Sequence, residues 1–149
     1  MVMPMTYAEK IRWLRRYGDA RRQQRVLEKE IEALRSDAER VTPLLGALPG
    51  GAGEGGRVPR AVEAILEAQA QLRTQCGQCA AVRAEVEAAI ARVPGQRDQE
   101  ILRRRYVLGQ TWEQIAVETF YSYKQVRRRH SRCVEALDLD GGKDNDVPG

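Results

Sequence analysis

Apolar residues recur at helical spacing along two long stretches of the chain. In residues 6–41 the apolar positions return in steps of three and four, as they do on one face of an α-helix. A second such stretch spans residues 62–93 and stops at Pro94-Gly95, which cannot continue a helix. The two stretches predict helices of similar length, each about 36 residues or roughly 54 Å at 1.5 Å per residue.

A glycine-rich segment, residues 46–59, separates the two predicted helices. A joint of this kind between helices of similar length predicts an antiparallel, coiled-coil-like hairpin. Because its apolar stripe contains few bulky side chains, we expect a partner surface to complete it. The hairpin arm is predicted to cover residues 5–95.

Two short helices with the same start signal are predicted after the hairpin. Thr111 stands three residues before Gln114, and Ser122 three before Gln125. Each pair forms a capping box, in which a hydroxyl and an amide satisfy backbone N–H groups at a helix start. The two starts lie about eleven residues apart, which leaves room for two helical turns and a tight turn. This spacing is typical of a helix-turn-helix unit.

The second of these helices has one apolar and one basic face, since successive residues turn by about 100°. The apolar stripe holds Val126, His130, Cys133 and Leu137. We expect it to pack against Leu102, Ile115, Ala116 and Phe120. The opposite face holds Lys124, Gln125, Arg128, Ser131 and Arg132, with Arg127 and Arg129 on its flanks.

Basic charge is concentrated in this C-terminal part of the chain. Residues 97–132 hold nine basic and four acidic residues, an excess of five, whereas the whole chain has a net charge of +4. Arginine runs are most often solvated helix faces, so charge alone does not establish nucleic-acid binding. Together with two capped helix starts, the excess favours a DNA-binding unit.

The C-terminal pattern also carries a resemblance. Residues 99–137 contain Arg105-Tyr106, Gly109, Trp112, Ile115-Ala116, Tyr121-Ser122, Gln125-Val126, Arg128, His130 and Ala136-Leu137. This pattern resembles region 4 of bacterial sigma factors. With the helical N-terminal half, the chain resembles the phage and prophage late-transcription regulators of the RinA and ArpU type. The resemblance implies an all-α protein with a helical hairpin followed by a helix-turn-helix domain, residues 96–138, that regulates transcription.

A helix-turn-helix domain of this kind reads double-stranded DNA in the major groove, here with residues 123–137. The predicted base-reading residues are Lys124, Gln125, Arg127 and Arg128. The predicted phosphate-binding residues are Arg103, Arg104, Arg105, Thr111, Trp112, Arg129, Ser131 and Arg132. Arginine pairs bidentately with guanine and glutamine with adenine, whereas phosphate contacts position the protein without reading sequence.

The heptad pattern does not determine which partner packs against the hairpin arm. We favour a homodimer, because two reading heads match a palindromic site. RNA polymerase or another protein is the competing partner. Alternatives for the chain as a whole are a helical scaffold module and a DNA-packaging subunit of the small-terminase type.

The cysteines have two chemical interpretations besides packing. Cys76 and Cys79 form a CxxC on the apolar stripe of the second predicted helix, with no preceding strand, which argues against a thioredoxin-like redox centre. A zinc site combining them with His130 and Cys133 is a further alternative, which we do not favour, because His130 and Cys133 already lie on a helical apolar stripe. The sequence therefore predicts no metal, no cofactor and no enzyme activity.

The remaining features of the sequence limit the class of protein to which the chain can belong. No apolar run approaches eighteen residues, and no secretory signal is recognisable at the start, so we expect a cytoplasmic protein without a membrane span. Residues 139–149 hold three aspartates and little to bury, which predicts a disordered acidic tail.

Overall fold

The computed structural model describes residues 3–46 and 57–139, and the side chains of residues 3–40 and 59–139. These ranges contain five helices and no strand: α1 (Tyr7–Gly46), α2 (Arg57–Ala91), α3 (Gln96–Tyr106), α4 (Trp112–Thr119) and α5 (Tyr123–Ala136). The predicted all-α class is thereby confirmed for the described residues. The predicted tail lies outside them except for Leu139, which is buried.

Both long helices reach further towards the joint than predicted. Helix α1 continues to Gly46 and α2 begins at Arg57, so the helix-free segment predicted over residues 46–59 is wrong at both ends. Pro59 is tolerated because it lies in the first turn of α2, where a backbone N–H has no intrahelical acceptor. The rest of the joint, residues 47–56, lies outside the described residues.

The start of α1 carries a third capping box. The backbone N–H of Glu9 donates to Oγ1 of Thr6 over 3.2 Å, and the N–H of Thr6 donates to Oε2 of Glu9 over 3.0 Å. This is the same Ser/Thr-x-x-Glu/Gln pattern as at the later helices. Local side-chain chemistry therefore begins α1 at the predicted place.

The chain divides into two compact units. One contains residues 1–19 and 81–149, and the other contains residues 20–80. In the smaller unit Ile31, Ala68 and Cys79 are buried, and Nε2 of Gln75 donates to the carbonyl of Ala20 over 3.2 Å. The predicted division of the chain between residues 95 and 96 is a different one and stays a prediction.

The larger unit holds the helices that position the candidate site. Helices α3, α4 and α5 each pack against the other two. Ile101, Ile115 and Val126, one from each helix, form a buried cluster. Trp112, Ala116 and Tyr121 lie against it, partly buried. Three short helices thus share a small common core.

The predicted apolar stripe of α5 is confirmed, since all four of its side chains are buried. Of their expected neighbours, Leu102 and Ile115 are buried and Ala116 is partly buried, but Phe120 is 93% exposed. The expectation that Phe120 packs in the core is wrong. Phe120 ends α4 in the left-handed backbone conformation, with φ 62°, and its side chain is left in solvent. Val134 is buried in addition, although the stripe did not include it.

None of the helices in residues 3–46 and 57–139 is long and apolar enough to cross a membrane.

Candidate nucleic-acid interface

Capping boxes set the starts of α4 and α5, as the sequence predicted. The N–H of Gln114 donates to Oγ1 of Thr111 over 3.2 Å, and the N–H of Thr111 donates to Oε1 of Gln114 over 2.9 Å. The same reciprocal pair joins Ser122 and Gln125, over 3.1 Å and 2.9 Å. The hydroxyl of Thr111 and Oε1 of Gln125 are therefore used in caps. Nε2 of Gln125 takes no part in the cap and is the group of this amide that can meet a base.

The basic face of α5 points into solvent. Lys124, Gln125, Arg127, Arg128 and Arg132 are exposed, whereas Arg129 and Ser131 are partly buried. Within the described residues, no carboxylate forms an ion pair with Lys124, Arg128 or Arg132. The first two of these three lie in the first two turns of the helix. This end of α5 therefore presents positive charge that no side chain of the described chain neutralises.

Two arginines lie over the ring of Trp112. The guanidinium carbon of Arg105 is 4.3 Å from the centroid of the Trp112 ring, and that of Arg127 is 4.7 Å from it. Nη1 of Arg127 also donates to the hydroxyl of Tyr123 over 3.0 Å, and Nη1 of Arg105 to the carbonyl of Gln110 over 3.0 Å. Stacking on an aromatic face holds a guanidinium in place without cancelling its charge. Two of the predicted DNA-contacting arginines are thus oriented by one indole.

A third arginine, Arg15, lies close enough to Arg105 to act on it electrostatically. Burial lowers the pKa of Arg105, and the positive charges of Arg15 and Arg127 lower it further, while Glu113 partly offsets them. We call Arg15, Arg105 and Arg127 the arginine cluster. Arg15 lies in α1, far from the others in sequence, and no motif indicated that it belongs there. Like charges held together repel one another, and a polyanion would relieve that repulsion.

His130 is buried, and all three residues of the arginine cluster act on it electrostatically. Its Nε2 is 2.6 Å from the hydroxyl of Tyr106, and the edge of its ring meets Trp112 with 4.6 Å between centroids. Burial lowers the pKa of His130 to about 4, and the charges of Arg127, Arg105 and Arg15 act in the same direction. A neutral, packed imidazole agrees with the apolar-stripe interpretation. Its Nδ1 is buried and has no hydrogen-bond partner in the part of the chain that the structure describes.

Four of the predicted phosphate-binding residues contact other side chains of the same chain. Arg103 pairs with Glu87 at 3.4 Å, and Arg104 pairs with Glu118 and, at 3.2 Å, with Glu100. Arg129 pairs with Asp98 at 3.1 Å, and the hydroxyl of Ser131 lies 3.4 Å from that of Tyr7. A side chain held by a carboxylate must give up that partner before it can bind phosphate. These residues are therefore poorer candidates than the sequence suggested.

Tyr121 forms a second aromatic platform, which the sequence did not single out. The guanidinium of Arg129 lies 4.7 Å from its ring centroid and that of Arg97 lies 5.9 Å from it. Since Arg129 is also paired with Asp98, this group ties α5 to the start of α3. Its contacts indicate a structural role.

The three cysteines are present as thiols, and two of them are buried. Cys79 is buried, but Cys76 is exposed, so the expected place of Cys76 on the apolar stripe of α2 is wrong. Burial raises the pKa of Cys133 to about 12, which keeps its thiol protonated and unreactive near neutral pH. In the part of the chain that the structure describes, no three His, Cys, Asp or Glu side chains are grouped so as to hold a metal ion.

No protein-family model, no curated protein and no solved structure matches this chain. The resemblance to sigma-factor region 4 therefore rests on the C-terminal residues quoted above.

Proposed function

We propose that the chain is a sequence-specific transcription regulator that binds double-stranded DNA through a helix-turn-helix formed by α4 and α5. The observation that carries the proposal is the exposed N-terminal half of α5, where Lys124, Arg127 and Arg128 have no carboxylate partner among residues 3–40 and 59–139. The arginine cluster beside it supports the same partner, because a polyanion offsets the repulsion among its charges. A recognition helix meets base edges with this end.

The contacts divide the predicted residues into three groups. We propose that Lys124, Arg128 and Nε2 of Gln125 read bases, because they are exposed on the same end of the helix. Arg105 and Arg132 would bind phosphates, as predicted from the sequence. Arg127, which was predicted to read bases, and Arg15, which no motif indicated, would bind phosphates as well. Thr111 and Trp112 start α4, and a backbone N–H at that start is a further phosphate donor. Arg103, Arg104, Arg129 and Ser131 would hold the helices together.

We further propose that α1 and α2 form the predicted antiparallel hairpin. In the larger unit Nη2 of Arg16 lies 2.6 Å from Oε2 of Glu85, and the guanidinium of Arg83 lies 5.7 Å from the ring centroid of Tyr17. In the smaller unit Gln75 binds the carbonyl of Ala20. Each of these contacts joins a residue of α1 to a residue of α2, which supports the proposal that the two helices lie side by side. A cytoplasmic homodimer on a palindromic site remains our proposal for the assembly, with RNA polymerase as the alternative partner of the arm.

The test is selection of bound fragments from random double-stranded DNA, followed by titration of three variants. Arg128→Ala should lose about 1–3 kcal/mol on the selected site and little on random DNA. Arg15→Ala should weaken both DNAs alike and lower the log–log salt slope by about one. Arg73→Ala, at an exposed arginine in α2, is the matched control and should change neither.

Three results would contradict the proposal. No binding to DNA would remove DNA as the partner and favour the scaffold alternative. Binding that does not depend on salt would contradict the proposed phosphate contacts. Equal losses on selected and random DNA for Arg128→Ala would show that Arg128 contacts phosphate and reads no base.

A further inference from the structure

The first turns of α1 contact the second half of α5. The hydroxyl of Tyr7 lies 3.4 Å from that of Ser131, and Nζ of Lys10 donates to the carbonyl of Glu135 over 2.9 Å. Leu14, one turn further along α1, is fully buried. All of these residues belong to the larger unit. The start of α1 is therefore part of the same compact body as the helix-turn-helix, and its exposed side chains are held in place beside α5.

Two arginines in these turns of α1 are exposed. Arg12 and Arg15 form no ion pair with a carboxylate of residues 3–40 and 59–139. Residues three apart are neighbours on a helix surface, so the two guanidinium groups share one side of α1. Asp19, four residues after Arg15, adds one negative charge to this side, which leaves an excess of positive charge. Arg16 differs from both arginines, because it is paired with Glu85 at 2.6 Å.

Arg15 connects this side of α1 with the arginine cluster. Its charge acts on Arg105 in α3, and so does the charge of Arg127 in α5. Glu113 acts on Arg105 in the opposite sense. Three cations against one carboxylate leave a positive excess, and Arg127 directly precedes Arg128, which we assigned to base reading. The exposed charges of α1 thus continue the positive surface of α5.

DNA phosphates are the partner that this position favours. A helix in the major groove has phosphates on either side of it, because duplex DNA carries one negative charge for about every 1.7 Å of its axis. A basic surface beside such a helix therefore meets the backbone, and backbone contacts position a protein without reading sequence.

We propose that the start of α1 is a second DNA-contacting element, in which Arg12 and Arg15 bind backbone phosphates beside the groove that α5 reads. This inference rests on the proposed function and deepens it. It extends the DNA contact from the helix-turn-helix to a helix that no DNA-binding motif of the sequence includes, and it adds Arg12 to the phosphate-binding residues.

Titration of the selected DNA site at several salt concentrations tests this element. Arg12→Ala should lower the log–log salt slope by about one, and the double change of Arg12 and Arg15 to alanine by about two. The loss of affinity between about 50 and 200 mM salt should therefore be about three- to fourfold smaller for each change. Arg12→Lys keeps the charge and should keep the slope. Arg16→Ala removes the same charge from a residue already paired with Glu85, so this matched control should leave the slope unchanged.

Uncharged methylphosphonates at single positions of the selected site locate the contact on the DNA. At the phosphate that Arg12 binds, the replacement should weaken binding of the wild type by about two- to fivefold. The same replacement should not weaken binding of Arg12→Ala further, because the contact is already absent.

The outcomes separate this element from the function on which it rests. An unchanged salt slope for Arg12→Ala would overturn the proposal, and so would an equal decrease for Arg16→Ala, because net charge would then be the cause. If Arg12→Ala binds as the wild type does while Arg128→Ala still loses its preference for the selected site, the helix-turn-helix function stands and the second element fails. If the wild type binds no DNA, both fail.

Discussion

The hydroxyl of Tyr106 and Nε2 of His130 lie 2.6 Å apart in the buried centre of the larger unit, and they join α3 to α5. His130 is the single histidine of the chain. Its ring also meets Trp112, on which two arginines of the proposed DNA-binding surface stack. The neutral, buried His130 thus packs against the aromatic ring over which two arginines of the proposed DNA-binding surface lie.

The first prediction concerns pH. His130 has a pKa of about 4 in the folded chain and about 6.5 when unfolded, so the unfolded state binds its proton more readily. The stability it contributes is present above about pH 6.5 and is lost as the pH falls towards 4. Between about pH 7 and pH 5 the free energy of unfolding should fall by about 2 kcal/mol from this group.

Two measurements check the pH prediction. NMR titration of the one imidazole should give a midpoint well below 6, and a midpoint at 6.5 would contradict the buried neutral state. Urea unfolding at both pH values should show a smaller decrease for His130→Leu, which cannot bind the proton.

The second prediction concerns Arg104, whose side chain is 23% exposed and lies between Glu100 and Glu118. Arg104→Met leaves Glu118 with the amide of Gln110 and Glu100 with Arg97 as their remaining partners. Because both carboxylates are more than a third exposed, we expect a loss of about 0.2–1 kcal/mol of stability in urea unfolding. The salt slope of DNA binding should stay unchanged. Arg128→Met, at an exposed arginine, is the control and should leave stability unchanged. Unchanged stability with a reduced slope for Arg104→Met would show instead that Arg104 binds phosphate.

The third prediction concerns Trp112. Trp112→Leu removes the platform that orients Arg105 and Arg127 but keeps both charges. We expect affinity for selected and random DNA to fall alike, by about three- to tenfold, while Trp112→Phe retains part of the binding. Trp13→Leu is the control, because its stacked Arg16 is already paired with Glu85. Equal affinities for the Leu variant and the wild type would mean that the stacking has no part in binding.

The fourth prediction concerns the backbone of Phe120. Phe120→Gly should raise the free energy of unfolding by about 1 kcal/mol, because glycine adopts φ 62° without strain and the exposed ring contributes no burial. Phe120→Ala keeps the Cβ atom and should gain less. Urea unfolding in dilute protein compares the two. Identical stabilities for the Gly and Ala variants would show that the left-handed conformation stores no strain.

The predicted helix starts agree with the structure where the signals are local. The capping boxes at Thr111 and Ser122 begin α4 and α5, and Gly109 has a positive φ of 70° after α3. The ends of the glycine-rich segment, predicted over residues 46–59, were less well predicted. Glycine and proline only disfavour a helix, and a proline in the first turn does not interrupt one. The exposure of Phe120 was not predictable, since hydrophobicity alone assigned it to the core.

The sequence by itself determined the helices, the buried stripe of α5 and the concentration of positive charge, because each depends on residues within a few positions of one another. Only the tertiary structure decided which charges are neutralised and which are not. Arg104 meets Glu118 fourteen positions away, and Arg129 meets Asp98 thirty-one positions away. Arg15 acts on Arg105 from another helix. Electrostatic energy depends on distance in space, which the order of residues along a chain does not specify.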